Sequence, residues 1–185
     1  KSKEFDYPKG EENVYTTYSG KGGVELNSPL RRLFYAFRFG SLKMILSGDI
    51  TSESRILYNR NIKERVAKIA PFLTYDRDPY LVVAEGKLYW IIDAYTSTDR
   101  YPYSQPLFLN ATSSTQSVVD GFRVNYIRNS VKAVVDAYDG SVSFYQADQD
   151  DSIIKTYAKM FPKTFRPLTD MPKSLIPHLR YPEDI

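Results

Sequence analysis

Two hydrophobic rhythms run along the chain, one of helical period and one of strand period, and their order sketches a fold. From Leu30 to Leu46 the spacing is helical. At about 100° per residue, Leu30, Leu33, Phe34, Phe37, Met44 and Ile45 share one arc. Arg31, Arg32, Arg38 and Lys43 fall on the other side, and no acid occurs between Glu25 and Asp49. Such a helix normally turns its apolar arc to a core and its basic back to water. A basic amphipathic helix can instead lie on an anionic membrane surface, with these four cations as its contacts. A second helix is predicted over Ser54 to Phe72, with Ile62, Val66, Ile69, Ala70 and Leu73 spaced by three and four and Pro71 near its end.

Strand patterns follow. Tyr80 to Ala84, the pair Glu85-Gly86, and Lys87 to Tyr95 predict a hairpin in which Val83 faces Leu88 and Leu81 faces Trp90. Both of its faces are apolar, as expected of strands covered on two sides. Val131 to Tyr138, Asp139-Gly140 and Ser141 to Ala147 predict a second hairpin, pairing Ala137 with Val142 and Val135 with Phe144. Its other face carries Lys132, Asp136, Tyr138, Ser141 and Ser143, which predicts one packed side and one wet side. Ser104 to Asp120 is polar and reads as a loop, and Asp151 to Phe161 as a third helix with an acidic N-terminus. Pro167, Pro172, Pro177 and Pro182 limit the tail to short helical turns. The sum is one α+β domain over residues 1–185: an irregular segment 1–28, a core 29–161 and a Pro-rich tail 162–185. Its sheet is mainly antiparallel, built from two hairpins or meanders, with two or three packed helices.

Composition narrows the chemistry. The 185 residues include 16 Tyr, 10 Phe, one Trp, one His and no Cys. Disulfide frameworks, zinc ribbons, iron–sulfur sites and thiol nucleophiles are therefore excluded for this chain, as is a multi-His metal site. A net charge of +3 is too small to argue for a nucleic-acid partner. Hydrophobic and charged fractions of 42% and 25% are those of a folded domain. No apolar run approaches the ~20 residues that span a bilayer. The opening Lys1-Ser2-Lys3 and the abrupt end at Ile185 are expected of a segment of a longer protein.

One cluster stands out. Asp76-Arg77-Asp78-Pro79-Tyr80 and Asp99-Arg100-Tyr101-Pro102-Tyr103 repeat a pattern at the two ends of the first hairpin. Antiparallel pairing brings a hairpin's open ends together. Asp76, Arg77, Asp78, Asp93, Asp99 and Arg100 are thus expected to converge, with Tyr95, Tyr101 and Tyr103 beside them. Three uses compete: ion pairs that close the hairpin, aromatic and polar groups that hold a sugar or peptide, and Asp76, Asp78 and Asp93 as oxygen ligands for calcium. The spacing of a calcium loop is missing, and no cofactor is called for. For catalysis, Asp93 with Asp99 or Asp136 would supply a carboxylate pair for glycan hydrolysis. Binding suits phenols, carboxylates and guanidinium better.

RNIKERVAKIAPFLTYDRDPYLVV (60–83), GKLYWIIDAYTSTDRYPYS (86–104), NYIRNSVKAVVDAYDGSVSFY (125–145) and HLRYPEDI (178–185) carry a resemblance. So do ENVYTTYSGKGG (12–23) and RRLFYAFRFG (31–40). Together they resemble a family of large, uncharacterised, multi-pass bacterial membrane proteins. The resemblance implies a piece of a large soluble region outside the cytoplasmic membrane, attached to the membrane through the rest of the parent protein. It implies no catalytic residues. The function expected is that of a non-enzymatic module binding an envelope glycan or peptide, or another region of its parent chain. A carboxylate-dependent hydrolase of envelope glycans is the alternative.

Overall fold

The computed structural model describes residues 3–108 and 123–183, in two compact units, Lys1–Tyr58 and Asn59–Ile185. Much of the expected loop from Ser104 to Asp120 lies outside the described residues. The fold class is α+β, as expected, with a mostly antiparallel sheet.

In the first unit, the segment expected to be irregular contains a hairpin, β1 (Glu4–Lys9) and β2 (Glu12–Thr16). It was hidden because the hairpin is exposed along nearly its whole length and so needs no hydrophobic alternation. β3 (Val24–Glu25) pairs with β4 (Arg55–Ile56), and Arg55 ties them by an ion pair to Glu25 and a 2.9 Å bond to the Lys21 carbonyl. Between them lie α1 (Pro29–Phe39) and α2 (Lys43–Leu46). The single helix expected from Leu30 to Leu46 breaks at Gly40, whose φ of 61° is the left-handed helix end that glycine adopts most readily.

The second unit is a six-stranded sheet packed on both faces, except at the first hairpin. There Leu81, Val83 and Leu88 are exposed, and the expected second cover is missing among the described residues. α3 (Ile62–Ile69) starts later than Ser54 because Asn61 caps it, its side chain accepting the Glu64 N–H at 3.2 Å. The sheet comprises β5 (Thr74–Tyr75), β6 (Tyr80–Ala84), β7 (Lys87–Thr98), β10 (Tyr126–Asp136), β11 (Val142–Gln146) and β12 (Phe165–Pro167). Its order is β12-β11-β10-β7-β5, with β6 also on β7. Only β11–β12 is parallel among these pairs. A short ladder, β8 (Leu107–Phe108) with β9 (Arg123–Val124), stands apart. The β6–β7 register is the expected one, Val83 opposite Leu88 and Leu81 opposite Trp90. Its turn holds Glu85 at φ 52° and Gly86 at φ 72°, the two positive values of a type I′ turn.

One sheet face packs against α3 and α4 (Ser152–Met160), burying Val66, Ala70 and Ile154 on Ile92, Ala94, Val131, Ala133 and Phe144. The Tyr75 hydroxyl donates to the carbonyls of Val66 and Ala70, at 3.0 and 2.8 Å, which satisfies the end of α3. The other face, expected to be wet along the second hairpin, is exposed near the turn at Tyr138 and Ser141 but buried farther along at Lys132 and Val134. Met171 and Leu175, from the Pro-rich tail, cover Val82, Ile91, Val134 and Tyr145. Two 3₁₀ turns, Leu168–Asp170 and Ile176–His178, shape that tail. The β10–β11 register also differs, with Val135 opposite Val142 and Ala133 opposite Phe144. The Asp136 carboxylate accepts the N–H groups of Tyr138 and Asp139, so the turn opens wider than Asp139-Gly140 alone. A two-residue slip leaves every side chain on its expected face.

Candidate site at the β5–β6 turn

Residues 76–79 leave the sheet between two strands that both pair with β7. Tyr75 lies opposite Ala94 and Tyr80 opposite Ile91, so four residues span a gap of two on the partner. This excursion carries Asp76, Arg77 and Asp78. The Asp76 N–H still donates to the Asp93 carbonyl at 2.9 Å.

Asp76 and Asp93 are 2% and 3% exposed. The Asp76 carboxylate accepts the Tyr95 hydroxyl, the Asp78 N–H at 2.9 Å and the Glu183 N–H at 3.1 Å. Asp93 forms an ion pair with Lys132, its direct neighbour across the β7–β10 ladder, and accepts the Asn129 side-chain amide at 2.8 Å. Lys132 also donates to the Arg180 carbonyl at 3.1 Å. The Arg180 guanidinium lies 4.6 Å from the Tyr80 ring centroid, and Arg77 reaches Glu183 at 3.9 Å. The tail thus closes the cluster, and the charge on Asp93 is met by a buried cation.

The second copy of the motif does not join it. β7 has twelve residues and β6 five, so Asp99 lies six positions beyond Asp93, or about 20 Å along the strand. Asp99 and Arg100 form a loose, exposed pair at 3.8 Å. Tyr101 stacks on Tyr126 at 4.8 Å, and its backbone is clasped by Asn125, while Tyr103 is fully exposed. Asn129, Lys132, Arg180 and Glu183 were missed. Lys132 had a signal, a lone cation inside the apolar run Val131 to Val135. The tail residues had none.

A second buried carboxylate sits on the helix face. Asp151 caps α4, accepting the N–H groups of Ile153 and Ile154 at 3.0 and 3.3 Å. It also accepts the hydroxyls of Thr96, Ser130 and Tyr126, at 2.5, 2.6 and 2.6 Å. Burial alone would raise its pKa. The hydrogen bonds from Ser130, Thr96, Tyr126 and the Ile153 N–H outweigh burial and hold it below the ordinary carboxylate value. The Tyr126 phenol is pushed up to about 12, first by burial and then by its bond to Asp151. An extra residue between Arg128 and Val131 shifts the β10 register on β7. It lets Asn129 serve Asp93 and Ser130 serve Asp151.

The cationic segment is oriented the other way from the usual amphipathic helix. Ala36 is the buried residue of α1, whereas Leu30, Leu33, Phe34 and Phe37 face outward, Phe37 at 89% exposure. Arg31 donates to the Glu25 carbonyl at 3.3 Å and Arg32 to Leu26 at 3.5 Å. Arg38 lies 5.6 Å from the Tyr58 ring centroid, and Lys43 opens α2.

These features define an α+β segment whose buried carboxylates are engaged by donors of its own chain. The chain belongs to the Uncharacterised protein family (UPF0182), whose family model matches residues 1–185. It is 54% identical over its whole length to a UPF0182 protein of Pelotomaculum thermopropionicum, 53% to one of Methanospirillum hungatei JF-1 and 50% to one of Sulfurovum sp.. It covers 19%, 20% and 19% of those proteins, so it spans about a fifth of the relatives' length. No solved structure matches it. Among the described residues no helix is long and apolar enough to cross a membrane.

Proposed function

We propose that this chain is a non-enzymatic interaction module on the extracytoplasmic side of a larger membrane protein, binding an envelope component or another region of its parent. The observation that carries this reading is the outward apolar arc of α1. Large apolar side chains are left in water there by a chain that spans a fifth of its relatives. The polar cluster supports the non-enzymatic half. Glycan hydrolysis needs two approachable carboxylates. Asp93, common to both expected pairs, is buried and spent on Lys132 and Asn129, and the Asp136 carboxylate accepts two backbone N–H groups of its turn.

The absence of cysteine makes a clean test. Phe37→Cys and Tyr103→Cys are placed singly in a parent protein stripped of other cysteines and treated with a membrane-impermeant maleimide. In intact cells Tyr103→Cys is expected to label; labelling only after permeabilisation overturns the extracytoplasmic side. Phe37→Cys is expected to label in the isolated chain and to be shielded in the parent in its membrane. Equal labelling in both overturns the interaction role.

A further inference from the structure

The surface from Leu30 to Leu46 has the layout of a helix lying in a membrane interface. On α1 the outward residues Leu33, Phe37, Leu30 and Phe34 cover an arc of about 100°. Arg31 and Arg38, both exposed, border that arc on one side. The inward positions are Ala36 and, partly, Tyr35 and Arg32. Beyond the Gly40 break, Leu42 and Leu46 are exposed as well, at 72% and 81%, beside Lys43.

Charge selects the occupant. A protein interface usually meets a rim of mixed sign; here no acid lies between Glu25 and Asp49, while four cations do. Both bracketing acids are engaged, Glu25 by Arg55 and Asp49 by Ser47. A groove of about 670 Å³, lined in part by Phe34, Tyr35, Phe37 and Tyr58 with Arg31 and Arg38, adds an apolar recess beside guanidinium groups. That combination suits the phosphate and upper acyl chain of an anionic phospholipid.

We infer that α1 and α2 dock this domain flat on an anionic phospholipid surface. The inference rests on the interaction reading above and names the envelope component. Phe37 and the apolar arc enter the acyl boundary, and Arg31 and Arg38 pair with lipid phosphates at its edge.

The test is flotation of the 185-residue chain, its fold checked by circular dichroism. The vesicles are phosphatidylcholine alone, or the same lipid with about a third phosphatidylglycerol. The chain is expected to float with the anionic vesicles and stay down with the neutral ones. Arg31→Glu with Arg38→Glu should weaken partitioning at least ~10-fold, Phe37→Ser should weaken it too, and Arg31→Lys with Arg38→Lys should retain it. Equal flotation with both lipids overturns the inference. So does a failure to float while Phe37→Cys is shielded in the parent, which leaves the interaction role standing with a protein on this face. No flotation with equal Phe37→Cys labelling removes both. Self-association abolished by Phe37→Ser would assign the face to a second copy and overturn the lipid assignment.

Discussion

Replacing Lys132 by Ala is expected to destabilise the second unit by about 3–5 kcal/mol, seen as a fall in the urea midpoint at unchanged slope. Lys132 and Asp93 face each other across the two central strands, 7% and 3% exposed. Removing the ammonium leaves a carboxylate in a dry interior with, among the described residues, the Asn129 amide alone to serve it. Its bond to the Arg180 carbonyl is lost as well, so the tail loosens. Asp93→Asn is milder, because an amide keeps the shape and can donate or accept. The double variant Lys132→Met with Asp93→Leu is the decisive comparison, since an apolar pair of similar volume leaves neither charge stranded. It should recover most of the loss. A double variant as weak as Lys132→Ala would show that the pair holds the fold by something other than mutual neutralisation.

Asp151→Ala should cost a similar amount, by a different route. Five donors converge on this carboxylate: two N–H groups of α4 and the hydroxyls of Thr96, Ser130 and Tyr126. Losing an N-cap alone costs about 1 kcal/mol, and each buried donor left unpaired adds about 1–3 kcal/mol. Its pKa is lower folded than unfolded, so the ionised form is the one that stabilises. The contribution is full above the ordinary carboxylate value near 3.8 and is lost as pH falls through the lower folded value. The stability gap between the native chain and Asp151→Ala should therefore be flat at neutral pH and shrink on acidification. A gap that widens toward acid would show that Asp151 is held protonated.

Much of this was legible because helical and strand periods are local properties. α4 appears within a residue of its expected limits, since Asp151 is both the sequence signal and the physical cap. The β6–β7 register follows from a turn whose two residues accept positive φ. Failures arose wherever a distant partner decided the outcome. Lys132 lies on a face with alternating polarity, and only the tail makes that face an interior. Leu168, Met171, Leu175 and Leu179 do recur at helical spacing, but the intervening prolines deny them one helix, so they cover the sheet from the ends of two 3₁₀ turns. Amphipathicity gave α1 an apolar arc without saying which way the arc looks. Of the residues expected to converge, Asp76 and Asp93 do lie together. Asp99 and Arg100 do not, since strand lengths that differ by seven residues separate motifs that would meet in an even hairpin.

The clasp between the tail and the β5–β6 turn also sets when the domain can finish folding. Glu183 reaches Asp76 across 107 positions, and Arg180 reaches Tyr80 across 100. On a ribosome delivering residues from the N-terminus, α3, the long strands and α4 are made before the cover of the opposite side of the sheet, the side with Val82, Ile91 and Val134. Contacts of that sequence separation form late. Until residues 168–179 have been made, that side of the sheet lacks the side chains that bury it. Residues 168–183 are therefore a late-made cover, synthesised after every strand of the face they close.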